Sequence, residues 1–411
     1  MPTSDNSLNQ LKPHILRFST GSIQLLLISI YFSTAVSSIL SIVVILVWLV
    51  LGYYKHLPNL LKNYPPVLWA TLVYGYFLLA ITYSHATIVD ISYTLTKYIE
   101  LLFIPIFIPF LTCPKAHHLA WRVFVAASVL TLLLSYLMAL GCFGETLMLD
   151  PSPKSRITHG ILIAFFAFYC LHKTSRANLT QTIVFGGLFI LCWHNLFFIV
   201  NGRTGQFVLV VLILLFVNQK LSLKQGGITV MTLVMFISLF YCYSEKSQRL
   251  HEGIINTQAF FQPIPTQTDS SMGLRYTFWR NSLKLIAQKP WLGYGTGGFI
   301  DAYNQVKGID PVTKNPHNEF LRITVETGLI GLTIYLTFLF SLIKTAFRLP
   351  ELEKSLAQGL IASLVISSIF NSPIMDHTEG HWFALLLALT TSALKRTEAI
   401  NLTPPHKYRP Y

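Results

Sequence analysis

The chain has 411 residues, 53% of them apolar and only 11% charged, with a formal net charge of +13 and a mean hydropathy of +0.54. Soluble domains carry roughly 25% charged residues, so a water-soluble globular enzyme is excluded and the chain reads as a polytopic membrane protein. In a soluble protein the excess charge would point to nucleic acid; here the positive bias of inner membrane loops supplies an ordinary source, and no nucleic-acid partner is expected.

In chain order, Met1 to Ser19 is polar and lacks a signal-peptide layout, so the first apolar run is expected to remain as an anchor. Apolar stretches that reach or approach the ~20 residues needed to cross a bilayer predict about twelve spans. They lie near 16–34, 36–54, 67–83, 91–112, 120–141, 159–172, 180–199, 204–218, 228–243, 319–343, 355–370 and 381–394. With the N-terminus inside, the inner segments hold seventeen Lys and Arg, and the short outer loops hold only Lys154, Arg156 and Arg203. That asymmetry places both termini in the cytoplasm.

The expected fold is therefore all-α. A bundle of about nine spans covers 1–243, a large outer loop with amphipathic helices covers 244–316, and about three spans and a cytoplasmic tail cover 317–411. In a bacterial inner membrane, outside means the periplasm. No repeat or pair of broken helices suggests an inverted-repeat transporter. Cys113, Cys142, Cys170, Cys192 and Cys242 form no CxxC pair and lie in or beside apolar runs, which predicts buried free thiols.

The outer loop is the polar interruption. After the cap-type residues QTDSS, Tyr276, Trp279, Leu283 and Ile286 fall on one helical stripe, with Thr277, Arg280, Lys284 and Gln288 opposite and Arg275 at the border. This reads as an amphipathic helix on the membrane surface or a lid packed on the bundle. Asn315 is a good N-cap and Pro316 suits a first turn, which puts His317 at the outer N-terminus of the tenth span. The positive helix end favours a neutral imidazole and attracts anions such as diphosphate. Gly328, three turns on, shares its face with Leu321 and Thr324; with Gly331 it would let another helix approach closely. An interfacial histidine above a packing seam is the bland alternative. Arg203, in NGRTGQ, and Arg275 are snorkelling anchors or anion clamps.

Other signals are weaker. Gly293, Gly295 and Gly298 satisfy GxGxxG but have no βαβ context, so a tight turn is the better reading. Asp376, His377, Glu379 and His381 have metal-ligand spacing but read as a polar loop. Lys97 and Glu100, spaced i,i+3, are expected to be the charged residues within the spans and to pair with each other, with a place on a substrate path as the alternative. Arg156 supplies a third cation or flanks the membrane.

Together these residues resemble the O-antigen ligase and polymerase superfamily. The motifs are His317–Asn318, nine residues, then Gly328-Leu329-Ile330-Gly331; KPWLGYGTGGF at 289–299; Arg275 with Trp279; and NGRTG at 201–205. The small residues that follow in the family are replaced here by Leu332 and Tyr335. The resemblance implies a GT-C-like fold in the inner membrane of a Gram-negative bacterium. It also implies transfer of a glycan from undecaprenyl diphosphate to lipid A–core, on the periplasmic face, with no cofactor and no metal. It gives His317 the role of general base and Arg275 and Arg203 the stabilisation of the leaving diphosphate. Arg156, Asn318, Trp279 and Arg280 would contact substrate. A polymerase or a protein O-oligosaccharyltransferase would use the same donor, and a lipid-linked glycan transporter is the reading from another class.

Overall fold

The computed structural model describes residue 18 and residues 20–145, 148, 150–175, 178–262 and 270–394. Among them there are helices, turns and no strand. The helices start where local chemistry dictates. Ser33, Thr87, Ser155, Asn178, Ser222, Ser270, Asn318 and Asp376 each accept a hydrogen bond from a first-turn backbone N–H, which satisfies donors that the helix itself cannot. Pro65 and Pro114 open two others, where the missing N–H costs nothing.

The first part of the bundle is α1 (Thr20–Phe32), α2 (Thr34–Val50), α3 (Leu57–Asn63), α4 (Pro65–Ala80), α5 (Ile88–Tyr98), α6 (Phe103–Leu111) and α7 (Pro114–Ala139). It continues with α8 (Arg156–Thr174), α9 (Leu179–His194), α10 (Arg203–Lys220) and α11 (Leu223–Tyr243). α5 and α6 join through a 3-10 turn at Ile99–Leu102 into one span, Ile88–Leu111.

Nine helices among the described residues are long and apolar enough to cross a membrane, or ten if α2 and the bent 53–63 segment are one span. Twelve were expected. α1 is shorter than any of the nine spans. The last helix, α17 (His377–Thr391), has 15 residues; at 1.5 Å each it covers roughly 22 Å of a ~30 Å core. Its polar first turn, holding His377, Glu379 and His381, lowers its hydropathy further. Successive spans still alternate in direction. The starts of α5, α8, α10 and α17 gather at one end with the finish of α4, and Lys220, Glu351 and Lys354 gather at the other.

α8 sits at the centre, buried from Thr158 to Cys170. Gly160 of α8 crosses Gly205 of α10 so closely that a Cβ on Gly205 would lie 2.5 Å from the Gly160 Cα. Small residues at such a crossing let backbones touch where no hydrophobic force separates helix from lipid. Outward faces stay apolar, with Ile183 and Met231 at 65% and 74% exposure, as lipid contact requires. The cysteines are all free, but only Cys170 and Cys192 are buried; Cys113, Cys142 and Cys242 are exposed.

Among the described residues between α11 and the next long helix, the chain does not form an open loop. It builds α12 (Gln248–Phe260), α13 (Ser271–Gln288) and α14 (Phe299–Val306), then α15 (Glu319–Ala346) and α16 (Glu351–Phe370). Phe278, Leu285, Phe299, Ala302, Tyr303 and Val325 form a second small core that fastens α13 and α14 to α15. The buried side of α13 is Thr277, Phe278, Asn281, Ser282 and Leu285, not the stripe read from the sequence; Leu283 of that stripe is exposed. The helix is a lid with a polar inner seam, because Asn281 and Ser282 find partners in Asp310 and the Phe278 carbonyl.

α15 is broken at Gly328, with φ 66 and ψ −170. The turn at 289–298 inserts there. Tyr294 N donates to Val325 O (2.9 Å), Gly295 N to Glu326 O (2.8 Å) and Leu329 N to Pro290 O (2.8 Å). A Cβ on Gly328 would stand 2.1 Å from Trp291 O, and one on Gly293 would stand 2.5 Å from Val325 O. So Gly293 and Gly328 let a loop backbone replace helix hydrogen bonds, while Gly295 and Gly297 let the same turn pass close to Ser84 and Ile91. The neighbour expected at Gly328 was another helix, and a loop takes that place. Gly331 does face a helix, with Tyr76 of α4 against it.

Candidate active site

The end of the bundle that holds the starts of α8, α10 and α15 carries the residues of interest. His317 does not lie in the first helical turn. Asn318 is the N-cap, its side chain accepting from Leu321 N at 3.0 Å. Asn315 instead closes a tight turn, its Oδ1 accepting from His317 N at 2.9 Å. His317 is thereby held at φ 53, the sole non-glycine residue with positive φ among the described residues. Left-handed backbone costs an L-residue roughly 1–2 kcal/mol, and such strain concentrates at functional sites.

Three contacts fix the ring and its loop. His317 Nδ1 lies 3.2 Å from Asn371 Oδ1. The ring stacks at 26° on Phe278 of α13, centroids 6.3 Å apart. Trp279 donates its indole N–H to Pro316 O at 3.0 Å. Nε2 makes no hydrogen bond among the described residues. Burial and the positive charge of Arg275 push the imidazole pKa below its usual value, against the Asn371 hydrogen bond, which raises it. Burial and Arg275 thus favour the neutral ring.

Arg203 opens α10. Its guanidinium donates to Ser271 Oγ (3.3 Å) and, more weakly, to Arg249 O (3.5 Å). Gly253 makes room for it: a Cβ there would lie 2.7 Å from Arg203 Nη1. Arg275, one turn into α13, makes no hydrogen bond or ion pair among the described residues. Burial and the charge of Arg203 depress its pKa, so the two cations sense each other. Both line a cavity of about 540 Å³ whose other walls are mostly apolar, including Phe197, Phe207, Val210, Ile237 and Phe370. Arg203 has Arg249 and Glu252 within electrostatic reach, but neither guanidinium has an ion pair among the described residues. Two cations without an ion pair among the described residues, set in an apolar slot, are an arrangement that can accept a polyanion with an apolar tail.

The remaining residues chosen from the sequence have other duties. Arg156 pairs with Asp150, Nε to Oδ2 at 3.0 Å, and its carbonyl packs on Gly202. Arg280 pairs with Asp310 at 3.2 Å and anchors the linker to α13. Asn318 ties the start of α15 to Ile369 O at 3.0 Å. Trp279 supports the His317 loop. Neither these four nor His317 lines the cavity shared by Arg203 and Arg275; His317 is linked to it through the charge of Arg275.

Sequence reasoning missed a buried polar layer. Glu100 does not pair with Lys97, which lies over the Tyr93 ring; it meets His377 Nδ1 (2.8 Å) and His381 Nδ1 (3.0 Å). Nor are these the only charges inside the spans. Arg322 and Glu326 of α15 are fully buried and paired at 2.6 Å. Arg322 also donates to Lys314 O (2.8 Å) and Thr94 Oγ1 (3.1 Å), pinning the linker and α5 to α15. Glu319 accepts from Tyr98 OH and from Ile374 N. All three sit above the Gly328 break, toward the His317 end. The i,i+4 spacing of Arg322 and Glu326 was the available signal.

Glu100, His377 and His381 bring three potential ligand atoms within 4.8 Å of one another. Their hydrogen bonds argue against a metal. His381 Nδ1 lies 2.8 Å from His377 O, an acceptor that requires a proton on that nitrogen and removes it as a ligand. Ser38 Oγ donates to Thr34 O and lies 2.5 Å from His377 Nε2, which fixes the Nε2–H tautomer there. The donor set that remains, one imidazole and one carboxylate, is too small for a structural site.

Two comparisons bear on identity. A Rickettsia conorii protein named "Putative polysaccharide ligase RC0486" is 28% identical over 135 residues, 30% of this chain and 33% of that protein. The matched part of the chain therefore spans about a third of that relative's length. With its apolar helices the chain is a multi-pass membrane protein, and its residues 155–336, which hold Arg156, Arg203, Arg275, His317, Gly328 and Gly331, are similar to the O-antigen ligase family.

Proposed function

We propose that this protein is an inverting, metal-independent glycosyltransferase that ligates O-antigen polysaccharide from undecaprenyl diphosphate onto lipid A–core, at the periplasmic face of the inner membrane. The observation that carries the reading is the pair Arg203 and Arg275. Both line one apolar cavity without carboxylate partners among the described residues, and Arg275 acts electrostatically on a neutral His317. The family match and the name of the Rickettsia relative support a ligase- or polymerase-type activity.

In this reading the polyprenyl chain lies along the apolar wall and the diphosphate meets the two guanidiniums. His317 Nε2 takes the proton from an acceptor hydroxyl. The oxygen attacks the anomeric carbon from the face opposite the diphosphate, a new C–O bond forms, and undecaprenyl diphosphate leaves with the electron pair of the broken bond. Preorganised donors aimed at growing negative charge contribute about 3–4 kcal/mol each, and a positioned base about 10²–10⁴-fold.

The test is reconstitution of purified protein with undecaprenyl-diphosphate-linked O-antigen. One arm contains lipid A–core; the other contains only single repeat units on the same lipid. Product in the first arm is expected. Product confined to the second arm would sink the ligase assignment in favour of a polymerase. Full activity in excess EDTA is expected as well, and a complete loss restored by added divalent metal would overturn the two-arginine mechanism.

A further inference from the structure

An imidazole acts as a base only at the nitrogen without a proton, and its other nitrogen decides which one that is. At His317 the decision falls to Asn371, a residue outside the matched family segment. Asn371 ends α16 in extended backbone. Its main chain is tied in place without help from its side chain: N donates to Ser367 O (2.8 Å) and O accepts from Glu319 N (3.1 Å). Beside it, Ser372 Oγ donates to Asn315 Oδ1 (2.9 Å), the same oxygen that holds His317 N. The end of α16 and the strained His317 turn are thus clasped together by two independent sets of bonds.

The Asn371 side chain is free for another task, and it faces His317. Its Oδ1, 3.2 Å from Nδ1, can only accept, so Nδ1 holds the proton and Nε2 the lone pair. A flipped amide would set N–H against Nδ1 and reverse the tautomer. Glu379, 1% exposed, interacts with the same amide. Thr158 Oγ1 donates to Glu379 Oε1 at 2.9 Å, while Oε2 is buried with no donor within bonding distance.

We infer that Asn371 is a positioning residue that locks His317 in the Nδ1–H tautomer and so presents Nε2 as the base. This rests on His317 acting as the base in the proposed transfer. It also accounts for a strained histidine held from two sides: the strain aims the ring, and the amide sets its proton.

The experiment compares wild type, Asn371→Leu, Asn371→Asp and His317→Ala as full-length proteins in the two-substrate assay across pH 5–9, each checked for monodisperse elution and melting temperature. Asn371→Leu is expected to lower kcat about 10²-fold with KM within about threefold, the size of a base correctly placed but mostly in the wrong tautomer. Asn371→Asp is expected to keep most of the activity. Its acid limb should move to higher pH by about a unit, because a carboxylate opposite Nδ1 stabilises the imidazolium. A well-folded Asn371→Leu protein with kcat within threefold of wild type would overturn the inference. So would an Asn371→Asp profile with an unmoved acid limb, and that measurement decides alone should Asn371→Leu not fold. His317→Ala separates the two levels. If it stays active, the base reading itself falls; if it is dead while both Asn371 variants match wild type, only the positioning role falls.

Discussion

His317 is a residue whose value comes from what holds it. Its backbone is left-handed, its ring is stacked on Phe278, and one nitrogen is bonded. His317→Ala should lower turnover at least 10³-fold with little change in melting temperature, read by single-turnover transfer in proteoliposomes. The pH dependence follows from the direction of the shift. Burial and Arg275 depress the imidazole pKa; a base must be neutral, so activity should stay flat down to below pH 6.5 and fall only under it. Arg275→Ala removes a positive charge from the ring's surroundings. The acid limb should then move up in pH, while kcat at pH 8 falls about 10²–10³-fold from loss of the diphosphate clamp. An unmoved limb would show that Arg275 does not act on His317. Of these features, the candidacy of Arg203 and His317 came from their place at span ends, and that of Arg275 from the polar loop and the family resemblance. The tautomer-setting Asn371 was not legible in the sequence, since an Asn after a span reads as a cap.

At the scale of elements, α15 behaves as two helices with an inserted loop. Gly328 at φ 66, with Trp291 O against its missing side chain, has no tolerance for substitution. Gly328→Ala should destabilise the fold by ~2 kcal/mol or more and should lower the melting temperature; an unchanged melt would mean that the loop is not seated in the break. Arg322 tests a different link. Removing one member of a buried ion pair strands the other, at a cost of about 3–5 kcal/mol. Arg322→Met should therefore melt well below wild type, and Arg322→Met with Glu326→Leu should recover part of the loss. Equal melts for the single and double variants would show that the bonds to Lys314 and Thr94, not the pair, are what Arg322 contributes. The spacing of Gly328 from His317 was visible in the sequence, but its use was misread: a helical wheel assumes the helix continues, and only the docked 289–298 turn reveals that it does not.

For the whole molecule, the alternation of spans puts the starts of α8, α10 and α15 at one end with both arginines and His317. The distribution of Lys and Arg argues that this end faces the periplasm. A cysteine-free background carrying either Asp310→Cys or Lys354→Cys checks it with a membrane-impermeant thiol reagent on intact spheroplasts. Labelling at 310 and protection at 354 are expected; the opposite pattern would invert the orientation and with it the side of the reaction.

The sequence by itself determined that this chain is a multi-pass helical membrane protein, where most helices begin, and which motif carries the family likeness. Those properties depend on hydropathy and on residues a few places apart, and both are local. Only the tertiary structure decided that Arg203 and Arg275 share a cavity while Arg156 and Arg280 are neutralised by Asp150 and Asp310. Only it decided that Glu100 turns to two histidines 277 and 281 positions away (377 − 100 and 381 − 100), and that Asn371 closes on His317. A buried charge or amide takes whichever partner the packing brings within about 3 Å, and packing across a bundle leaves no periodic trace along the chain.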